Sequence, residues 1–356
     1  MIKVLVVEDS PVVREFLVRV LSSDDDLRVV ATATNGKQAL ATLEKIRPDV
    51  ITMDIHMPEM DGLEATRAIM NAHPTPIVIV SGSSSVAEAA TAFRALEAGA
   101  LAVIERPRGI GHPEHDATAA RLVSTVKLMA EVKVVRRWRT PSKGRSPRVP
   151  KPQAGLQPEN LQLIAIGAST GGPQALQAIL RGLPWDFPLP ILVVQHISPG
   201  FSEGFVEWLG STSALPVKLP RQGEAILPGH VYVAPQGFQL KIEPARTMSL
   251  LPEGPQNGHC PSVSFLFRSV AEVFGGDAVG ILLTGMGRDG ASELKLLRDE
   301  GALTIAQSEE SSVVPGMPGE AIKLNAAVHV LSPGQIAAFL KNLGEEWARV
   351  RRVAQL

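Results

Sequence analysis

The chain has 356 residues, 45% hydrophobic and 20% charged, the profile of a globular protein long enough for two domains with separate cores. A formal net charge of −1 gives no general reason to expect nucleic acid or an anionic membrane as a partner, so either would need a local patch. The single cysteine, Cys260, excludes an internal disulfide framework and an all-cysteine metal site. The first residues carry no secretory-type leader and no apolar run approaches the ~20 residues that cross a bilayer, so the expected location is the cytoplasm, without direct membrane insertion.

Residues 2–7 form a short β-branched apolar run. Glu8-Asp9-Ser10-Pro11 follows, then an amphipathic stretch carrying Val12, Val13, Phe16, Leu17 and Val20, which predicts a buried strand feeding a helix. Further strands are expected at 27–31, 50–53, 77–80 and 101–104, separated by helical stretches. Five strands alternating with helices imply a parallel, doubly wound α/β sheet. Ligands gather at the carboxyl ends of such strands, and those ends hold Glu8, Asp9, Asp54, Ser81 and Arg106. Three carboxylates on one edge repel unless a cation holds them, and hard, solvent-open oxygen ligands of this kind suit Mg²⁺. An aspartate beside Mg²⁺ is also a competent phosphoryl acceptor. Each acidic residue alone reads as a helix cap or a solvated loop residue.

Together with Met53-Asp54-Ile55-His56-Met57-Pro58-Glu59-Met60-Asp61-Gly62, they are more than that. This run, Val7-Glu8-Asp9-Ser10 and the strand-ending Ser81 resemble the receiver domain of two-component response regulators, a flavodoxin-like fold. The resemblance implies that Asp54 takes a phosphoryl group from a histidine kinase. It implies too that Glu8, Asp9 and Asp54 hold Mg²⁺ with the His56 backbone carbonyl, and that Ser81 and Arg106 respond to the phosphate. Two positions depart from the pattern. Receivers usually have lysine before a proline, commonly in cis, where this chain has Arg106-Pro107, and arginine's planar fork is not interchangeable with an ammonium. Val103 stands where many receivers carry an aromatic switch residue. Both bear on how phosphorylation couples to output.

Residues 139–152 are rich in proline and basic residues and poor in apolar ones, a semi-extended spacer. The expected layout is therefore a receiver domain at 1–130, a linker at 131–158 and a second domain at 159–350.

The second domain opens with Leu163-Ile164-Ala165-Ile166-Gly167-Ala168-Ser169-Thr170-Gly171-Gly172-Pro173, an apolar strand, a small-residue bend and a helix start marked by proline. A serine there suits a nucleophile or an anion cradle. A dinucleotide site would want G-x-G-x-x-G and an acid closing the next strand. Here Ser169 replaces the second glycine and the strand at 190–194 ends in Gln195-His196, which supplies a base candidate on the same edge. The apolar run 278–283 ends in Thr284-Gly285-Met286-Gly287-Arg288-Asp289-Gly290, where Asp289 is the best carboxylate to orient an imidazole and the glycines could aim the Met286 N–H at an oxyanion.

The remaining histidines lack such company. His112 and His115 form an H-x-x-H pair with no third ligand, and His56, His73, His230, His259 and His329 read as hydrogen-bonded structural residues. Cys260 reads as an inert packed thiol.

The opening stretch resembles the chemotaxis-type protein-glutamate methylesterases. So do Gln195-His196 through Pro199-Gly200-Phe201, Pro228-Gly229-His230-Val231-Tyr232-Val233-Ala234-Pro235, Leu283 through Gly290 and Gly316-Met317-Pro318-Gly319-Glu320-Ala321. The likeness covers the receiver–linker–esterase order and implies a Rossmann-like α/β esterase domain with a mainly parallel sheet. It implies hydrolysis of glutamate γ-methyl esters on the cytoplasmic domains of chemoreceptors, with methanol released, and deamidation of receptor glutamines in some members. Ser169 would be nucleophile, His196 base and Asp289 its orienter, with backbone N–H groups of Thr170 and Met286 as oxyanion donors. Acyl transfer of this kind runs on a triad without a metal in this domain. Ser264 stands where the family commonly has aspartate, a change expected to touch packing or substrate contacts and to leave the triad unaltered. The receiver and linker further suggest that the unphosphorylated receiver covers the Ser169 edge and that phosphorylation loosens it. A phosphorylation-gated adaptor or phosphoryl sink is the alternative. A DNA-binding regulator fares badly, because residues 161–356 hold 14 Lys and Arg against 17 Asp and Glu and open as α/β.

Overall fold

A computed structural model describes the chain except residues 83–84, 133, 135–157, 199, 253, 257 and 355–356, so most of the expected linker lies outside the described residues. The chain divides into two compact units, Met1–Lys143 and Gly144–Leu356.

In the first unit, β1 (Ile2–Val7), β2 (Leu27–Ala33), β3 (Val50–Met53), β4 (Ile77–Ser81) and β5 (Ala102–Glu105) alternate with α1 (Pro11–Leu21), α2 (Gly36–Leu43), α3 (Gly62–Ala72), α4 (Val86–Ala98) and α5 (His115–Ala130). The strands form one parallel sheet in the order β2-β1-β3-β4-β5, the flavodoxin-like arrangement. All four residues of β3 are buried, as a strand covered by helices on both faces requires. Side chains of Ser10, Asn35, Asp61 and Ser85 cap α1 to α4, each accepting a backbone N–H of the first turn.

The second unit is built on seven parallel strands. In chain order its elements are β6 (Leu163–Ala168), α6 (Gly172–Arg181), β7 (Ile191–Gln195), α7 (Ser202–Thr212), β8 (Val217–Lys218), β9 (Glu224–Ala225), β10 (Val231–Val233), β11 (Gln239–Ile242), β12 (Thr247–Leu251), α8 (Val263–Phe274), β13 (Ala278–Leu282), α9 (Ala291–Asp299), β14 (Leu303–Gln307), α10 (Gly316–Lys323), β15 (His329–Leu331) and α11 (Pro333–Ala354). The sheet order is β15-β14-β13-β6-β7-β10-β8, every pairing parallel. The chain runs outward from β6 through β7 to one side and returns through β13 on the other, so the strand order reverses at β6. A crevice at the carboxyl ends of β6 and β13 follows from that reversal.

A separate antiparallel sheet, β11-β12-β9, was not foreseen from the sequence. Its strands run from two to five residues, too short to carry a periodic signal. Leu240, Ile242 and Met248 from this sheet join α8 residues Val263, Leu266, Phe267 and Val270 in one buried cluster, which anchors α8 beside the main sheet.

Candidate active site

Parallel pairing of β6 with β7 runs in register to Ala168↔Gln195, so Ser169 and His196 leave neighbouring strands at the same level. The His196 N–H donates to the Ala168 carbonyl at 3.0 Å, and the Ser169 N–H to the Thr284 carbonyl, just past β13, at 3.0 Å. The buried Gln195 side chain donates to both the Ser169 and His196 carbonyls, at 2.9 and 2.8 Å. Its amide is thus a clamp across the two strand ends. Two glycines make the bend possible. Gly171 adopts φ +79°, and a Cβ on Gly285 would stand 2.6 Å from the Ser169 Cβ and 2.3 Å from the Met317 Sδ.

His196 and Asp289 form a nearly solvent-free pair, their side chains 6% and 1% exposed, with His196 Nε2 3.0 Å from Asp289 Oδ2. A carboxylate there makes Nε2 the protonated nitrogen, leaving Nδ1 as the basic one. Nδ1 is buried and has no hydrogen-bond partner, so Ser169 and His196, though side by side, are not hydrogen-bonded.

Asp289 is held by the start of α8. Ser262 Oγ donates to Oδ1 at 2.9 Å, the Ser264 N–H to Oδ1 at 3.2 Å and the Val263 N–H to Oδ2 at 2.7 Å. Burial pushes the Asp289 carboxyl up, but the hydrogen bond and charge of His196, with Ser264 and the Val263 N–H, outweigh it and hold the group well below the usual carboxylate range. The carboxylate also sits at the positive end of a helix dipole. Ser264 is therefore part of the Asp289 cradle, and its hydroxyl accepts the Gly290 N–H at 2.9 Å. The position thus touches Asp289, while the His196–Asp289 pair itself is in place.

Thr170 and Met286 flank Ser169 from the ends of β6 and β13. Among the described residues their N–H groups donate to no protein acceptor. Buried Thr284 ties Thr170 to Val314: its hydroxyl contacts the Thr170 and Val314 carbonyls at 2.9 and 3.1 Å and accepts the Val314 N–H at 3.0 Å. His259, read from the sequence as merely structural, stacks on His196, with ring centroids 3.8 Å apart and planes 6° apart. Spacing along the chain carried no sign of that contact, nor of the Gln195 and Thr284 ties. The N-cap pattern Ser262-Val263 could have located the α8 terminus.

In the first unit, Val7↔Met53 register sets Glu8 beside Asp54. Oxygens of Glu8, Asp9 and Asp54 lie within 4.8 Å of one another. Burial, then the Asp54 charge, push Glu8 up to about 7, and burial likewise raises Asp54. Such a crowded, half-desolvated acidic set fits a hard divalent cation, which would remove the repulsion. Arg106 supplies partial compensation, its Nη2 3.5 Å from Glu8 and 3.9 Å from Asp54. Its N–H donates to the carbonyl of buried Ser81 at 2.9 Å. The Arg106-Pro107 bond is trans. His56 is exposed next to this cluster in sequence.

A flavodoxin-like unit with an acidic pocket, joined to a parallel α/β unit carrying serine, histidine and aspartate at its carboxyl edge, defines a response regulator with a hydrolase-type output domain. Residues 4–112 match the response regulator receiver domain family and residues 164–340 the CheB methylesterase family. A relative from Nitrosospira multiformis named protein-glutamate methylesterase/protein-glutamine glutaminase is 58% identical over 97% of this chain and 98% of its own length. One from Geobacter metallireducens is 52% identical over 97% and 100%. The solved CheB methylesterase catalytic domain of Thermotoga maritima is 37% identical, covering 51% of this chain and 98% of that one with a TM-score of 0.49. The chain belongs to the protein-glutamate methylesterase/protein-glutamine glutaminase family.

Proposed function

We propose that this chain is a phosphorylation-controlled serine esterase that hydrolyses glutamate γ-methyl esters on chemoreceptor cytoplasmic domains, and receptor glutamine amides by the same acyl chemistry. The observation that carries the reading is the buried His196–Asp289 pair, with Nδ1 unbonded, one strand over from Ser169. Ser169 Oγ turns onto Nδ1 once substrate is seated, a hydrogen bond that apo sites often form only in the complex. As Oγ attacks the ester carbonyl, its proton passes to Nδ1, and the N–H groups of Thr170 and Met286 receive the oxyanion. The tetrahedral adduct collapses, His196 protonates departing methanol, and the side chain is left acylated on Ser169. Water, deprotonated by the same nitrogen, then releases the glutamate carboxylate. Asp289 stays ionised and steadies the imidazolium in both halves.

In the receiver, Asp54 is the phosphoryl acceptor and a histidine kinase the donor. Glu8, Asp9 and Asp54 with the His56 carbonyl would hold Mg²⁺, which supplies positive charge to the phosphoryl oxygens. Arg106 and Ser81 stand ready to bind the phosphoryl group once formed. We assign residues 1–130 to the receiver, 131–158 to the linker and 159–350 to the catalytic domain, a layout supported by the two compact units. Among the described residues no helix is long and apolar enough to cross a membrane, which supports a cytoplasmic enzyme meeting its receptor from that side.

Methanol release from a methylated receptor cytoplasmic domain tests the assignment. Wild type is expected to release methanol and Ser169→Ala to release none; equal rates would make the chain an adaptor instead.

A further inference from the structure

A histidine base needs its ring fixed in position and in plane, because the proton must travel along a lone pair that lies in that plane. In His196 one nitrogen is fixed by Asp289, while the other has no hydrogen bond. A single anchor leaves the ring free to rock about it, and χ2 of histidine is a broad, soft torsion. Some other contact must set the plane. The face of the His259 ring is that contact, 3.8 Å away and 6° from parallel.

His259 is itself well placed to act as a fixed plate. Its backbone exchanges two hydrogen bonds with Gln256, at 2.9 and 3.0 Å. Its carbonyl accepts the side-chain amide of Gln239 at 3.1 Å, and Gln239, wholly buried, accepts the Ser262 N–H at 2.8 Å through its Oε1. Ser262 Oγ then reaches Asp289 at 2.9 Å. One hydrogen-bond path therefore runs from the backbone of the stacking residue to the carboxylate that anchors the other side of the imidazole. The two restraints on His196, edge and face, are referenced to the same frame.

We propose that His259 is a positioning residue for His196, its ring face holding the imidazole in the plane that keeps Nε2 on Asp289 and Nδ1 poised for the Ser169 proton. This rests on the esterase reading above. Stacking needs a flat ring and no titrating nitrogen, so the role separates from hydrogen bonding or charge.

The test is steady-state methanol release by the full-length protein from a methylated receptor cytoplasmic domain, comparing wild type, Ser169→Ala, His259→Ala, His259→Gln and His259→Phe, each checked for an unchanged melting profile. Loss of ring alignment lowers kcat by about 100-fold in His259→Ala and His259→Gln with KM within about twofold, as expected when geometry is lost in the chemical step. His259→Phe restores kcat to within about fivefold of wild type, since a phenyl face stacks as well. Should the alanine variant not fold, the glutamine–phenylalanine contrast decides alone. The proposal is overturned if kcat is unchanged in the non-aromatic variants, if phenylalanine rescues no better than glutamine, or if the loss lies in KM. Wild type no faster than Ser169→Ala would instead overturn the esterase reading, and the role of His259 with it.

Discussion

Replacing Asp289 with asparagine removes one charge and one acceptor from a place where several donors converge. Ser262 Oγ and the Ser264 N–H meet at Oδ1; the Val263 N–H and His196 Nε2 meet at Oδ2. An amide offers one oxygen. With that oxygen toward Ser262 and Ser264, its NH₂ faces His196 and the Val263 N–H. His196 must then accept through Nε2, so Nδ1 carries the proton and is no longer a base. With the amide reversed, the Ser264 N–H is the orphan and the tautomer survives, but the imidazolium has lost its counter-charge. Either way one buried backbone N–H is unsatisfied, a cost of about 1–3 kcal/mol. At about 2–4 °C per kcal/mol for a domain of this size, the melting midpoint should fall by roughly 2–12 °C. The catalytic loss should be larger, about 10³–10⁴-fold in kcat, the scale of the same change in a serine-protease triad. Because Asp289 is held below its unfolded pKa of about 3.9, its stabilisation is complete above that pH and disappears as pH falls further. The gap in melting midpoint between wild type and Asp289→Asn should therefore begin to narrow below about pH 4 and go on narrowing as pH falls toward the lower folded pKa. A variant that keeps kcat within tenfold of wild type, or a gap that does not narrow in acid, would refute the role given to this carboxylate.

Gly285→Ala would drive a methyl group into Ser169 and Met317, so kcat should fall at least about tenfold and stability by about 1–3 kcal/mol, measured by methanol release and by thermal melting. Ser264→Ala removes the acceptor for the Gly290 N–H and should cost about 1 kcal/mol in chemical denaturation, with a smaller kcat loss than Asp289→Asn. Asp54→Ala should leave basal methanol release as in wild type and abolish its stimulation by a small phosphoryl donor.

Sequence patterns reached the framework because the framework is made of long signals. Buried runs such as 163–168 and 278–282 have no partner face to alternate with, so they read as parallel strands, and the residue ending each falls on the ligand edge. Ser169 and His196 could be singled out for that reason, and Asp289 from the glycine-rich run that follows 278–283. What escaped is contact between elements distant in sequence. The two-residue β9 has no period to detect, and the His259–His196 stack depends on an irregular loop returning to β7. The approach of the start of α8 to Asp289, through the Ser262 hydroxyl and the Val263 and Ser264 N–H groups, likewise joins segments more than twenty residues apart.

The Ala168↔Gln195 register has a thermal consequence. Ser169 and His196, the proposed nucleophile and base, are each the next residue after a central, fully buried strand, with no flexible arm between sheet and side chain. Structures open first at frayed ends and loops and last in such strands. On heating, the amides of 163–168 and 191–195 should exchange with solvent only as the unit melts, and esterase activity should vanish in that same transition and not in an earlier one.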